Sequence, residues 1–389
     1  MGDLPVGLLQ SWGTYMSEGT ADDWYLSDYI LIWLGNPNYT RTSDVHFIWE
    51  ARYRGAKVVS VAPDFSPSTP HADRWLNVRV GTDAALALGM VNVVITEGLY
   101  DEEFIKEQTD LPFLVRDDTG RFLREADLVE DGSEEGIYYW NAKSRRLRLA
   151  DGTWDSEVDT IALDPDDDPA LSGAHTVKLV DGSRVRVRTV FDLLCEHVKA
   201  YSPESAANIT GVHADNIRTV ARELAAAKSA MIFASWGACK HYHSDLFQRG
   251  MVYLVALTGN TGGKPGSGIK VSTWWPFPMM GADGQALMTE APPPSPVDRV
   301  SVKTVTKLMF EMSDYLRSSP MIPWLYAHDP KWRAVANRNE YADPAFKRPI
   351  SEYMDEILDK GWQPIWPRPP KRPRFYYFSG PNPLRRWPN

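Results

Sequence analysis

Only two cysteines, Cys195 and Cys239, occur in 389 residues. Two thiols cannot build a disulfide framework, nor can they supply the four ligands of an iron–sulfur cluster within this chain. Long hydrophobic runs are missing as well. No stretch of 18 apolar residues exists, so no segment reads as a membrane-spanning helix. The first ten residues lack the basic region and apolar core of a signal peptide. Net charge is −9 and no strong basic stripe runs along the sequence. Phosphate-backbone binding needs gathered Lys and Arg, so nucleic acid is not expected as the main partner. Neither a Gly-x-Gly-x-x-Gly nor a Gly-x-x-x-x-Gly-Lys-Ser/Thr pattern is present, so NAD-type and P-loop sites lack their fingerprints.

What is present is proline and tryptophan, 29 and 15 of them. They predict stiff connections and large buried aromatic contacts rather than a helical bundle. With 43% apolar and 24% charged residues the chain has the composition of a globular protein, and its length allows two or more domains. The abrupt start at Met1-Gly2-Asp3-Leu4-Pro5, and an end soon after an apolar run at 375–378, predict a piece cut from a longer protein.

The first 110 residues alternate strand and helix. Residues 29–33 and 57–61 are apolar runs followed by turn residues, the profile of buried parallel strands. A third strand is expected near 75–80. Helices are expected over 43–54, ahead of Gly55, and over 84–96, ahead of Gly98. From about 116 to 190 the pattern changes to short strands and hairpin turns, with Asp151-Gly152 and Asp181-Gly182 as turn signals. The acidic run at 164–168 reads as a solvated loop rather than a metal site, since its carboxylates are adjacent and flanked by proline. After Tyr201 the α/β pattern returns. Ser202-Pro203 opens a helix, 213–227 is amphipathic, 229–234 is a strand and 244–258 a helix. The fold class that follows is α/β: two doubly wound, mostly parallel Rossmann-like sheets with an inserted β-hairpin region. The expected division is 1–199, carrying the insertion at about 116–190, and 200–389, incomplete at its C-terminal end.

Ligands of open α/β sheets bind beyond the carboxyl ends of strands. Five expected strand ends carry turn residues: Gly35-Asn36-Pro37, Pro63-Asp64, Gly81-Thr82-Asp83, Trp236-Gly237 and the stretch from Gly380 to Pro383. Glycine lets backbone approach a ligand, and free amides at a helix start attract phosphate. Thr82 and Asp83 are equally readable as helix caps. Five such loops favour a large nucleotide-bearing ligand.

Several motifs in order resemble the dimethyl sulfoxide reductase family: Tyr201-Ser202-Pro203-Glu204-Ser205, Ile209-Thr210-Gly211-Val212, and Leu257-Thr258-Gly259-Asn260-Thr261-Gly262-Gly263-Lys264-Pro265. Asp23-Trp24-Tyr25, Ser27-Asp28-Tyr29-Ile30, Arg41-Thr42, Ala51-Arg52-Tyr53 and Gly81-Thr82-Asp83-Ala84-Ala85 are similar to its type II branch, which holds the respiratory nitrate reductase alpha subunit and ethylbenzene dehydrogenase. The resemblance implies a catalytic-subunit fragment binding molybdenum bis(molybdopterin guanine dinucleotide).

In that branch an Asp before Leu-Pro, shortly ahead of Trp-Gly, ligates the metal. Here that is Asp3, before Leu4-Pro5 and Trp12-Gly13. A hard carboxylate oxygen suits a high-valent, oxo-bearing metal. Without the resemblance Asp3 is an ordinary terminal residue. Lys240 and His241 correspond to a stretch that borders the metal pocket, where charge-assisted contacts would orient substrate; a surface lysine and a packed histidine are the plain alternatives. Gly380, Asn382 and Arg385 resemble positions near a guanosine or its phosphates. The resemblance also implies a [4Fe–4S] cluster in the full-length subunit, whose ligands are absent here. It further implies an iron–sulfur electron-transfer beta subunit, a haem subunit, a small-molecule substrate and a periplasmic location. Lys240 and the motif Asn382-Pro383-Leu384-Arg385-Arg386 favour ethylbenzene-dehydrogenase-like hydroxylation of a C–H bond with water. Reduction of nitrate, selenate or chlorate is the alternative, and a truncated, non-catalytic nucleotide- or partner-binding module is a third reading.

Overall fold

Every residue of β1 (Tyr29–Trp33) is buried. A strand open to water on one face alternates apolar with polar; one buried throughout is covered on both faces. The computed structural model describes residues 6–12, 21–134, 136–150, 163, 166–235, 237, 243–261, 263–271, 326–338 and 347–360. They fall in two units, Gly2–Ala291 and Pro292–Asn389 with Met1. In the first, β1 belongs to a five-stranded parallel sheet with β2 (Lys57–Val61), β3 (Arg74–Leu76), β9 (Ala230–Ala234) and β10 (Gly268–Val271), in the order β10-β9-β1-β2-β3. Strands β4 to β8 lie in the insertion.

Alternation along the strands sorts side chains into two cores. Leu31, Trp33, Val59, Val61 and Ile232 meet one helical layer. It comprises α1 (Val6–Trp12), α4 (Asp83–Thr96), α7 (Val190–Val198), α8 (Pro203–Thr210), α9 (Ala214–Ala226) and α10 (Ser244–Leu257). Ile30, Ile32, Met231 and Phe233 face the other way, onto Trp24 and onto Ile48 and Ala51 of α3 (His46–Tyr53). The short helix α2 (Pro37–Thr40) follows β1, and α5 (Glu102–Gln108) follows α4. Helix α8 starts as its sequence predicts: Pro203 is its first residue and Ser202 Oγ accepts from Ser205 N at 3.2 Å.

The α/β class holds, with a parallel sheet and inserted antiparallel hairpins. The number of sheets differs from expectation. β9 and β10 join the sheet begun by β1 instead of founding a second one among the described residues. The cause is the register of Tyr29–Trp33 on Ala230–Ala234, pinned at its start by Asp28 N and Tyr29 N donating to Ser229 O at 3.0 and 3.1 Å. The strand expected over 75–80 is shorter and earlier, Arg74–Leu76. The apolar run at 375–378 lies outside the described residues.

The insertion contains β4 (Leu114–Arg116), β7 (Ala174–Lys178) and β8 (Arg184–Thr189) in an antiparallel sheet ordered β4-β8-β7, and a separate hairpin of β5 (Tyr138–Asn141) with β6 (Arg146–Leu149). Helix α6 (Glu125–Leu128) lies between them in sequence. Asp181-Gly182 does turn β7 into β8. By contrast, β6 pairs back onto β5, so its turn is 142–145; Asp151-Gly152 lies outside the described residues. The acidic run is not simply solvated. Asp167 accepts from Asn141 Nδ2 at 2.8 Å and lies 3.3 Å from Arg148, and Asp168 accepts from Lys106 at 2.9 Å.

His175 of β7 stacks on Trp140 with ring centroids 3.7 Å apart, and its Nε2 is buried without a hydrogen-bond partner among the described residues. Burial holds its pKa below the usual value. A depressed histidine contributes stability that is fully present above its unfolded pKa, about 6.5. That stability is lost as pH falls through the folded value. Protection of β7 amides from hydrogen exchange is therefore expected to weaken on acidification below about pH 6. His175→Gln should flatten that dependence, and identical profiles for the two proteins would contradict it.

In the second unit the described residues form two helices, α11 (Pro330–Ala336) and α12 (Ile350–Asp359). Asp329 caps α11, accepting from Lys331 N at 2.9 Å and Trp332 N at 3.2 Å.

Candidate functional site

A parallel sheet delivers its chain exits to one edge. The loops after β9, β1, β2 and β3 leave from that edge on successive neighbouring strands, spaced roughly 5 Å apart. Strand order reverses at β1: β2 and β3 lie on one side, β9 and β10 on the other. The loops after β1 and β9 therefore part at this point, and such switch-point crevices are where open α/β sheets bind ligands.

Backbone geometry at the crevice is tight. A Cβ on Gly237 would lie 2.5 Å from Leu34 O, and one on Gly35 would lie 3.1 Å from both the Phe233 ring and Ser235 Cβ. Each loop thus needs glycine because the other is so close. Leu34 itself has φ +51, in the left-handed region where a bulky side chain is strained. Strain of this kind persists where the surroundings over-determine it, and it clusters at functional sites.

Next along the edge, the loops after β1 and β2 are joined by one hydroxyl. Ser68 Oγ donates to Asn36 Oδ1 at 2.7 Å and accepts from Asn38 N at 3.2 Å. The Asn36 amide nitrogen makes no hydrogen bond among the described residues. Pro37 is buried as the first residue of α2. Pro63 and Asp64 are exposed, and the Asp64 carboxylate has no partner among the described residues. Beside them Phe65 meets Trp75 edge-on at 5.3 Å, and Trp75 Nε1 donates to Ala62 O at 2.9 Å.

At β3 the loop has a different character. Gly81 has φ +80 with open space around it, so glycine serves the turn there. Thr82 does not cap α4 through its side chain; Oγ1 donates instead to Arg79 O at 2.7 Å. Asp83 is turned inward and buried, accepting from Trp33 Nε1 at 2.9 Å. Its carboxylate ties α4 to β1 and complements the positive end of the helix.

Gly35, Asn36, Pro37, Pro63, Asp64, Gly81, Thr82, Asp83 and Gly237 thus share one edge of one sheet. Asp3, Trp236, Lys240, His241, Gly380, Asn382 and Arg385 lie outside the described residues, as does Cys239. Among the described residues no group of three or more metal-ligating side chains gathers. Sequence reasoning missed Ser68, whose only signal is its place in Ser66-Pro67-Ser68-Thr69-Pro70, and the Trp33–Asp83 pair, which no local pattern announces.

Residues 2–344 match the family described as molybdopterin oxidoreductase. The chain belongs to this family. It is 42% identical over 296 residues to perchlorate reductase subunit alpha of Dechloromonas aromatica, covering 71% of this chain and 32% of that one. It is 41% identical over 266 residues to dimethylsulfide dehydrogenase subunit alpha of Rhodovulum sulfidophilum, covering 68% and 28%. It is 35% identical over 373 residues to respiratory nitrate reductase subunit alpha of Haloferax mediterranei, covering 94% and 34%. These relatives agree with the type II resemblance carried by the motifs. The chain spans about a third of the length of the curated relatives it matches.

The edge suits the nucleotide portion of a molybdopterin cofactor. Glycine-permitted backbone lines the crevice, Asn36 retains an amide donor for a phosphate or carbonyl oxygen, and Asp64 is an acceptor with no competing partner. Two carboxylates would repel a phosphate, but Asp83 is committed to Trp33 and Asp64 sits further out. Asp64 therefore matches hydrogen-bond donors such as ribose hydroxyls or the N–H edge of guanine.

Proposed function

We propose that this chain is a central section of the catalytic subunit of a molybdenum-dependent oxyanion reductase, and that it holds a molybdopterin guanine dinucleotide at the carboxyl edge of its parallel sheet. The observation that carries the proposal is the switch-point crevice, where strained Leu34 and the close Gly35 and Gly237 loops meet. Asn36 donates to the dinucleotide and Asp64 accepts from it. Asp3 ligates the metal, and Lys240 with His241 holds the substrate oxyanion through charge-assisted hydrogen bonds. The bound cofactor supplies two-electron redox chemistry. The net change is loss of one oxygen atom from the oxyanion as water, with two electrons and two protons consumed.

Oxyanion reduction leads because perchlorate, nitrate and chlorate reductase alpha subunits stand among the relatives. The dimethylsulfide dehydrogenase relative favours a second reading, in which the cycle runs oxidatively. Hydroxylation of a C–H bond with water belongs to that second reading and rests on Lys240 and the 382–386 motif. A [4Fe–4S] cluster in the full-length subunit, an iron–sulfur beta subunit, a haem subunit and a periplasmic location are part of the same proposal.

The deciding assay uses the full-length subunit made anaerobically with molybdate. Reduced viologen is oxidised by nitrate, chlorate or perchlorate if the first reading holds. Ferricenium reduction by ethylbenzene or dimethylsulfide, with no oxyanion activity, would replace it with the second. Asp64→Ala in that protein is expected to lose bound guanine nucleotide on dilution about tenfold faster, the effect of one hydrogen bond of about 1.4 kcal/mol. Unchanged retention would remove Asp64 from the site.

A further inference from the structure

The outer face of the inserted sheet carries a charge pattern that its own fold does not explain. Val177, Val185 and Val187 turn into the insertion's core with Leu114 and Leu123. Lys178, Arg184 and Arg186 therefore lie exposed on the opposite face, with Arg188 half-buried beside them. The register sets Lys178 directly across from Arg184 and Thr176 across from Arg186. Like charges placed directly opposite each other destabilise a strand pair. Further along, the fold supplies compensation: Asp117 lies 2.8 Å from Arg188 and 3.7 Å from Arg186, and Glu196 lies 2.8 Å from Arg188. Lys178 and Arg184 have no ion-pair partner among the described residues. Although the whole chain has net charge −9, the alternation of Arg184, Arg186 and Arg188 with Val185 and Val187 gives the hairpin a local basic face, to which β7 adds Lys178.

An apolar groove adjoins that face. Val115 is the cross-strand partner of Arg188, and from it opens a cavity of about 750 Å³ lined also by Phe122, Val190 and Leu193, with Arg121, Arg124 and one carboxylate, Glu134, at its margin. An apolar centre with a charged margin is the make-up of a protein-docking surface.

We infer that this face docks an acidic surface of a partner protein subunit, with carboxylates seated against Lys178 and Arg184 and an apolar side chain in the Val115–Phe122 groove. The inference rests on the reading of the chain as part of a multi-subunit oxidoreductase. Charge complementarity selects the occupant: carboxylates seated between Lys178 and Arg184 relieve their opposition. The acidic residues of the hairpin and its neighbouring strand end are already engaged: Asp181 in the turn accepts from Ser183 N at 2.8 Å and Ser183 Oγ at 2.6 Å, and Asp117 lies 2.8 Å from Arg188. Electrostatic docking acts chiefly on association rate and on its salt dependence.

The test uses the full-length subunit and its separately purified iron–sulfur subunit as probe, with association followed at low and high salt. Wild type should associate more slowly as salt rises. Lys178→Glu and the pair K178E/R184E should slow association at least several-fold at low salt and flatten the salt dependence. Because it creates an opposite-charge pair across the strands, Lys178→Glu alone should raise the thermal midpoint, which separates docking from folding. Unchanged association by both variants would overturn the inference, and so would a fall in thermal midpoint with association untouched, which assigns the face to a contact within the chain. Molybdenum content measured in the same samples keeps the two claims apart. Normal loading with unchanged docking defeats this inference alone, whereas metal-free wild type defeats the functional reading beneath it.

Discussion

Asp23→Leu is expected to lower the stability of the α/β unit by roughly 3–5 kcal/mol, because it leaves a buried ammonium without its counter-charge. Lys270 sits on β10 with only 1% of its side chain exposed. Its Nζ lies 2.8 Å from Asp23 Oδ2, and the other oxygen of Asp23 accepts from Gly266 N at 2.9 Å. Asp23 belongs to the 3-10 helix Ala21–Leu26, so one carboxylate fastens the entrance of the fold to its last described strand. Lys270→Met should cost less, since the remaining carboxylate is 20% exposed and water relieves it. The double variant D23L/K270M should recover most of the loss, as buried ion pairs replaced by apolar side chains of similar volume often do. Denaturant unfolding of the four proteins reads the cycle. Strictly additive losses would show that the pair is not coupled.

Gly237→Val should abolish cofactor loading in the full-length subunit while leaving most secondary structure intact. The obstacle is backbone: even the first added carbon falls 2.5 Å from Leu34 O, and Leu34 already occupies strained φ space. Overpacking of this kind costs about 1–3 kcal/mol, less than most domains possess, so the fold survives with the switch-point loops forced apart. Gly81→Ala is the matched control. It meets φ +80 but open space, so it strains a turn without entering the crevice. Molybdenum and guanine content of the two variants, with circular dichroism as the check on folding, decide the matter. Full loading of Gly237→Val would mean that the cofactor does not use this crevice.

The central strands were legible because two-sided burial writes an uninterrupted apolar word. The expected spans 29–33 and 57–61 coincide with β1 and β2. Which strands share a sheet was not legible. Nothing in Ala230–Ala234 states that it will lie beside Tyr29–Trp33, some two hundred residues earlier; that depends on Ser229 meeting Asp28 in space. Lys270 hid β10 for a physical reason: a charged residue in a four-residue strand reads as surface, and only the distant Asp23 makes it a core residue. At the edge, the glycines and Asn36 followed from turn chemistry, but the inward turn of Asp83 did not. A carboxylate in the first turn of a helix is usually an exposed companion of the dipole, and here Trp33 draws it inside.

The central claim is that the nucleotide lies across the carboxyl edge, and an experimental structure of the cofactor-loaded full-length subunit tests it most directly. The account predicts guanosine and diphosphate atoms within hydrogen-bond reach, about 3 Å, of the Gly35–Asn36 backbone and the Asp64 carboxylate. A dinucleotide bound at the opposite edge of the sheet, or one leaving the crevice between Leu34 and Gly237 to other protein segments, would contradict it.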